Sequence, residues 1–221
     1  MAGGNHAAEE GREAKKAVIV WVCMMAAYTF MGFCQILWGI SLGIWVNVVF
    51  SVICIVFAWK DKPGLASIGF SKEGAGKSFA AGFTCSAVII LLNGILPGIL
   101  NGKILAPAGE SFLRLLYFLF IIALPEEIIF RGYIMTRLEG VRTSKQAVLL
   151  SGLFFMLIHI PYQYLVSGMG FISYLLNGNL VTLAMTFVWH LVFCFIFKRT
   201  GSLYGVVLFH GIMDWSNYLF Y

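Results

Sequence analysis

The chain has 221 residues, of which 60% are apolar and only 11% charged, a composition that excludes an ordinary soluble globular domain and points to a bilayer as the solvent. That length accommodates several spans of about 20 residues with short connections, so one domain is expected. The formal net charge of +5 does not indicate nucleic acid, because Lys and Arg gather in short segments beside apolar runs and form no basic face; the positive-inside bias accounts for them.

In chain order, the first sixteen residues carry Glu9, Glu10, Arg12, Glu13, Lys15 and Lys16 and read as a polar cytosolic tail, ahead of a single transmembrane domain over 17–221. The first apolar run is too long for a signal-peptide core and lacks a cleavage signature, so it is expected to be retained. Apolar runs fall at 17–37, 40–59, 79–100, 111–135, 147–166, 171–197 and 203–220. They predict an all-α, polytopic transmembrane helix bundle of about seven spans, within a range of six to eight. Gly39 and Gly43 permit a tight reversal between the first two runs, Pro97 and Gly98 end the third, and Pro161 interrupts the fifth. The sixth is long enough to be one tilted helix or two pieces broken around Asn177-Gly178-Asn179. Segment 60–77 is the only substantial connection and is expected on the cytosolic surface. Cys23, Cys34, Cys54, Cys85 and Cys194 lie inside apolar runs at irregular spacing, as buried small hydrophobes would, and receive no chemical role.

Orientation follows from the basic residues. With the amino terminus cytosolic, the inner segments hold Arg12, Lys15, Lys16, Lys60, Lys62, Lys72, Lys77, Arg137, Arg142, Lys145, Lys198 and Arg199, while the outer ones hold Lys103, with Arg114 near that boundary. The asymmetry supports this orientation.

Only three acidic residues fall within the apolar runs, Glu126, Glu127 and Asp214, and they are accompanied by Arg131, His159, His190 and His210. A charge at the bilayer centre costs at least ~2.5 kcal/mol, so such groups face a protein interior or a wet cavity. Counting from the basic segments at about 1.5 Å per residue, Glu126, His159 and His210 lie roughly 16 to 21 Å deep, near the middle of a hydrocarbon core about 30 Å thick. Three different helices therefore bring them to one level. Glu127 and Arg131 are four residues apart and share a helical face, where they can pair. Glu126 is rotated about 100° from Glu127, which frees it to point into a cavity as the reactive carboxylate. His210 and Asp214 repeat the four-residue spacing, as do Phe155 and His159. His190, beside Trp189, is expected to be a packing or interfacial residue.

Glu126-Glu127-x-x-x-Arg131, Phe155-x-x-x-His159 and His210-x-x-x-Asp214 together resemble, in order and spacing, the motifs of the CAAX protease and bacteriocin-processing family, also called the Abi family of intramembrane endopeptidases. Gly69-Phe70 and Arg199-Thr200-Gly201-Ser202 are also similar to family turns. The resemblance covers about 111–220. It implies hydrolysis of a peptide bond within the membrane, with Glu126 and His159 activating water, His210 and the residue at 214 stabilising the oxyanion, and Glu127 and Arg131 holding the first motif in place. The family more often has Asn at the last position, and the carboxylate of Asp214 cannot donate to an oxyanion.

Two mechanisms use the same residues. One is metal-free, with Glu126 as general base and His159 orienting the water. In the other, His159, His210 and a carboxylate from Glu126 or Asp214 bind zinc, which then activates the water. The serine, aspartyl and H-E-x-x-H signatures of other intramembrane proteases are absent from the sequence. The expected partners are the lipid bilayer and a membrane-associated or carboxy-terminally processed peptide, with no nucleic acid, and the short loops suit a bacterial plasma membrane. Two competing readings are a small transporter or channel using the Glu/His/Asp cluster for protons or cations, and a non-catalytic peptide-binding membrane scaffold. No internal repeat supports the transporter.

Overall fold

The computed structural model describes residues 2–61 and 63–221; Met1 and Lys62, the latter assigned above to the cytosolic side, lie outside the described residues. Among those described, the chain forms seven helices and no strand: α1 (Ala2–Trp38), α2 (Gly43–Lys60), α3 (Ala75–Leu100), α4 (108–139), α5 (Ser144–Ser167), α6 (Phe171–Thr200) and α7 (Tyr204–Ser216). The all-helical polytopic bundle is as expected. The apolar run at 17–37 continues amino-terminally, so that the polar segment 2–16 is part of α1.

Five helices, α1, α2, α3, α5 and α6, are long and apolar enough to cross a membrane. The other two differ for separate reasons. Glu126, Glu127 and Arg131 interrupt the apolar character of α4, and α7 has 13 residues, about 20 Å of rise against a hydrocarbon layer of about 30 Å. The apolar run containing α7 extends to 220, but its last residues turn back: Ala106 N–H donates to the Leu219 carbonyl at 2.8 Å and Tyr221 N–H to that of Ile104 at 2.9 Å.

Prolines set several of the irregular places, and an Asn-Gly pair sets another. A proline has no N–H for the carbonyl one turn earlier, and wide π-type turns at Ile90–Ile95 and Phe118–Ala123 precede Pro97 and Pro125. Such turns concentrate at functional sites. Helix α5 is broken at Ile158 and His159, just before Pro161. Helix α6 leaves helical geometry at Asn177 and Gly178, the glycine at φ +87°, so of the two readings of this run the broken one holds.

Contacts between the connections identify the two ends of the bundle. At one end Arg137 pairs with Asp61 at 3.0 Å, Lys198 with Glu139, and Gly140 lies against Glu10. The polar start of α1, the 60–77 segment, the α4–α5 turn and the end of α6 therefore share the basic end. Residues 104–111 and 215–221 meet at the other. Exposed Trp38 and Trp45 flank the α1–α2 reversal, with Trp59 near the opposite end of α2, where an aromatic belt would lie. Exposed Phe83, Leu100, Leu176 and Phe195 present apolar surface to lipid.

Segment 60–77 is largely exposed, as expected, but one part of it turns inward. It makes a short 3₁₀ turn at Gly64–Ile68 that buries Ile68 completely, and Gly132 of α4 lies close under the Ile68 carbonyl, where a side chain would intrude. Gly69 then takes φ +87°, and its carbonyl accepts from Leu203 N–H at 3.1 Å. The Gly69-Phe70 and 199–202 turns thus meet at the basic end.

Helices α3 and α7 are in closest contact through small residues. Ser78, Ser86 and Gly82 of α3 are buried, and Ser78 Oγ donates to the Ser202 carbonyl and accepts from Gly205 N–H, each at 2.9 Å. A Cβ on Gly205 would collide with the Ser78 carbonyl, and one on Gly82 with the Gly205 carbonyl. Small residues at a helix crossing are a membrane solution, since lipid provides no hydrophobic drive for helix association. Gly205→Ala should therefore destabilise the bundle by about 2 kcal/mol or more, seen as a lower unfolding midpoint in detergent, whereas Gly76→Ala, which meets open space, should leave the midpoint unchanged.

Candidate active site

Glu126 and Glu127 follow Pro125 in the middle of α4, where one helical step sends their side chains to different neighbours. Glu127 and Arg131 are completely buried, with Arg131 Nη1 3.0 Å from Glu127 Oε1. The same carboxylate oxygen accepts from His210 Nδ1 at 2.7 Å. Arg131 makes no well-aligned hydrogen bond among the described residues; its guanidinium instead lies over the rings of Phe155 and Phe193, at 4.2 and 4.9 Å from their centroids. Its charge is thus matched by one carboxylate and two aromatic faces. The pairing expected from the four-residue spacing is present.

Glu126 points elsewhere. Its Oε1 accepts from Asn47 Nδ2 at 2.9 Å, and its Oε2 is 3.9 Å from His210 Nε2, beyond hydrogen-bonding distance. A cavity of about 360 Å³ is walled by Glu126, Phe155, His159, Phe193, His210 and Asp214, with Asn93, Thr182, Thr186 and Asn217 among its polar lining. A second, of about 220 Å³, lies on the side of α1 and α2 and is also lined by Glu126 and His159, together with Tyr28, Asn47, Tyr162 and Gln163. The four residues singled out from sequence therefore line one cavity, and two of them form its wall with a second.

The break in α5 sets the chemistry of His159. Its backbone N–H donates to the Met156 carbonyl at 3.3 Å, which leaves the Phe155 carbonyl to the His159 ring; the Nδ1 contact is 2.7 Å. A carbonyl only accepts, so Nδ1 carries the proton and Nε2 keeps its lone pair. Its Nε2 edge is left free of that bond, and His159 lines both cavities.

His210 differs at its other nitrogen, which faces a carboxylate. Nδ1 donates to Glu127, the ring stacks on Phe193 with centroids 4.7 Å apart, and Nε2 stands 3.5 Å from Asp214 Oδ2. The imidazole is held on both edges and on one face. Asp214 is partly exposed to the cavity and lies beside the ring.

His190 is fully buried, with Nε2 2.9 Å from Ser151 Oγ and 3.1 Å from Cys194 Sγ. It lines neither cavity and packs the core, as expected. Donor types in the cavity suit zinc, but among the described residues no three His, Cys, Asp or Glu side chains stand together so as to hold a metal ion.

Sequence reasoning passed over three contributors: Asn47, Tyr28 and Phe193. Asn47 is an amide in the middle of an otherwise apolar run, and that was its available signal. Tyr28 and Phe193 belong to a chain rich in aromatics and carry none.

Residues 108–216 match the family described as Type II CAAX prenyl endopeptidase Rce1-like, in agreement with the resemblance carried by the three motifs. No curated protein and no solved structure matches the chain.

Breaking the buried ion pair on one side should be costly. Arg131→Met leaves Glu127 buried without its cation and should destabilise by about 3 to 5 kcal/mol, measured by unfolding in detergent, and the double variant Glu127→Gln with Arg131→Met should recover part of that loss.

Proposed function

Because residues 108–216 belong to the Rce1-like type II CAAX prenyl endopeptidases, a family of intramembrane proteases, we propose that this chain hydrolyses a peptide bond in a membrane-associated or carboxy-terminally processed peptide, with Glu126 as general base. The observation that carries the reading is that Glu126, His159, His210 and Asp214, from three helices, line one cavity beside a buried ion pair.

A water held between Glu126 Oε2 and His159 Nε2 would give its proton to Glu126 while its oxygen attacks the scissile carbonyl carbon. The carbonyl π electrons move to oxygen, and the resulting oxyanion accepts from His210 Nε2–H, with the ring doubly protonated. On collapse the C–N bond breaks, and the proton held by Glu126 passes to the departing nitrogen. Products are a carboxylic acid and an amine, between which the remaining proton passes to give carboxylate and ammonium, and the site is regenerated.

Asp214 enters as a positioning residue. Being a carboxylate beside Nε2, it orients the His210 ring and offsets its charge; an Asn could share only the orienting part. Glu127 and Arg131 hold His210 at the correct depth. The reaction is read as metal-free, because the lone pair at His159 Nε2 and the open Oε2 of Glu126 already provide two acceptors for one water. A bacterial plasma membrane is the setting that the short connections suit.

Cleavage of membrane-anchored peptides by purified protein tests this. Glu126→Ala and His159→Ala should each lower kcat by about 10²- to 10⁴-fold, and Asp214→Asn should retain activity within about tenfold. Cleavage should persist in protein stripped of metal by chelation. Full activity in Glu126→Ala would remove the general-base assignment, and strict dependence on one equivalent of zinc would replace the metal-free mechanism.

A further inference from the structure

The family match begins at residue 108, yet one contact to Glu126 comes from outside it. Asn47 of α2 is buried among apolar neighbours, and its Nδ2 donates to Glu126 Oε1 at 2.9 Å. Tyr28 of α1 donates through its hydroxyl to Asn47 Oδ1 at 2.8 Å. The three side chains form a line from α1 through α2 to α4.

We propose that Tyr28 and Asn47 form a positioning relay that selects which oxygen of Glu126 acts as the base, an inference that rests on Glu126 being the general base. An amide can present either its NH2 or its oxygen to a neighbour. Tyr28, donating to Oδ1, fixes the amide so that the NH2 faces the carboxylate; the reverse orientation would set two acceptors against each other. Oε1 is then engaged by Asn47, whereas Oε2 accepts from no donor among the described residues and faces His210 across 3.9 Å. The proton taken from water therefore arrives at Oε2, on the side of the cavity that also holds His210 and Asp214. Without the amide, the carboxylate can rotate and place either oxygen toward either cavity, because Glu126 lines both. The relay also explains what α1 and α2 contribute to a site whose motifs all lie downstream.

The test is a double-mutant cycle on kcat and KM with a membrane-anchored peptide. Removing a hydrogen bond to a charged group should cost Asn47→Leu about 10- to 100-fold in kcat, with KM within about twofold, because the hydrogen bonds of the two residues run to each other and to the carboxylate. Tyr28→Phe keeps the ring and its packing and removes one hydroxyl, so it should fold as the parent does and lose about three- to tenfold in kcat. Added to Asn47→Leu, it should cost nothing more, since Tyr28 acts only through the amide. Two independent losses that multiply would show separate structural effects and overturn the relay. A rise in KM with kcat intact would overturn it too, by making these residues part of the peptide site. Normal kcat in both variants beside an inactive Glu126→Ala would overturn the relay while leaving the general base in place; an active Glu126→Ala would remove the reading beneath it.

Discussion

The buried pair of Arg131 and Glu127 is the constraint from which the rest of the site follows. A guanidinium inside an apolar bundle is tolerable only if its charge is answered on every side. Here the answer comes from three helices, Glu127 on α4, the Phe155 ring on α5 and the Phe193 ring on α6, while His210 on α7 binds the same carboxylate oxygen. A shift of any of these helices by one turn would strand a charge. The pair therefore fixes the relative heights of α4, α5, α6 and α7 in a bundle whose apolar contacts alone would allow sliding, because lipid and helix surfaces are about equally apolar.

Once those heights are fixed, the two histidines acquire different chemistry from their surroundings. His159 sits where Pro161 has already loosened the helix, and the local carbonyl it recruits decides its tautomer. His210 lies within unbroken helix, and its Nδ1 is claimed by a residue on another helix. One ring is bonded within its own helix and lines both cavities, and the other is held between Glu127 and Asp214.

Much of this was legible in the sequence. The charged groups in apolar runs stood out because their cost in lipid is large, and helical arithmetic from the basic segments set Glu126, His159 and His210 at one level. The four-residue spacing gave the Glu127 and Arg131 pair, and Asn177-Gly178 and Pro161 gave the breaks. Asn47 was harder to see, since a neutral amide costs little enough that many spans carry one, and its partner is 79 residues away. Phe193 was hidden for another reason: in a chain with 20 Phe, only the fold distinguishes the one that stacks on His210 from those that meet lipid. The inward fold of Ile68 was equally silent, because Gly132, which makes room for it, lies far along the chain. Hydropathy also overstated the last span, as the end of that run was apolar for the sake of a turn packed against residues 104–106.

The shortness of α7 has a consequence for the depth at which His210 and Asp214 sit. With 13 residues it cannot find its own level in the bilayer by matching hydrophobic length. Its height is inherited from α3, through the Ser78, Gly82 and Gly205 contact, and from the ion pair. The depth of these side chains is accordingly a property of protein-to-protein contacts, so a thicker or thinner membrane would tilt the outer helices while His210 kept its distance from Glu126. Such a bundle carries its own ruler.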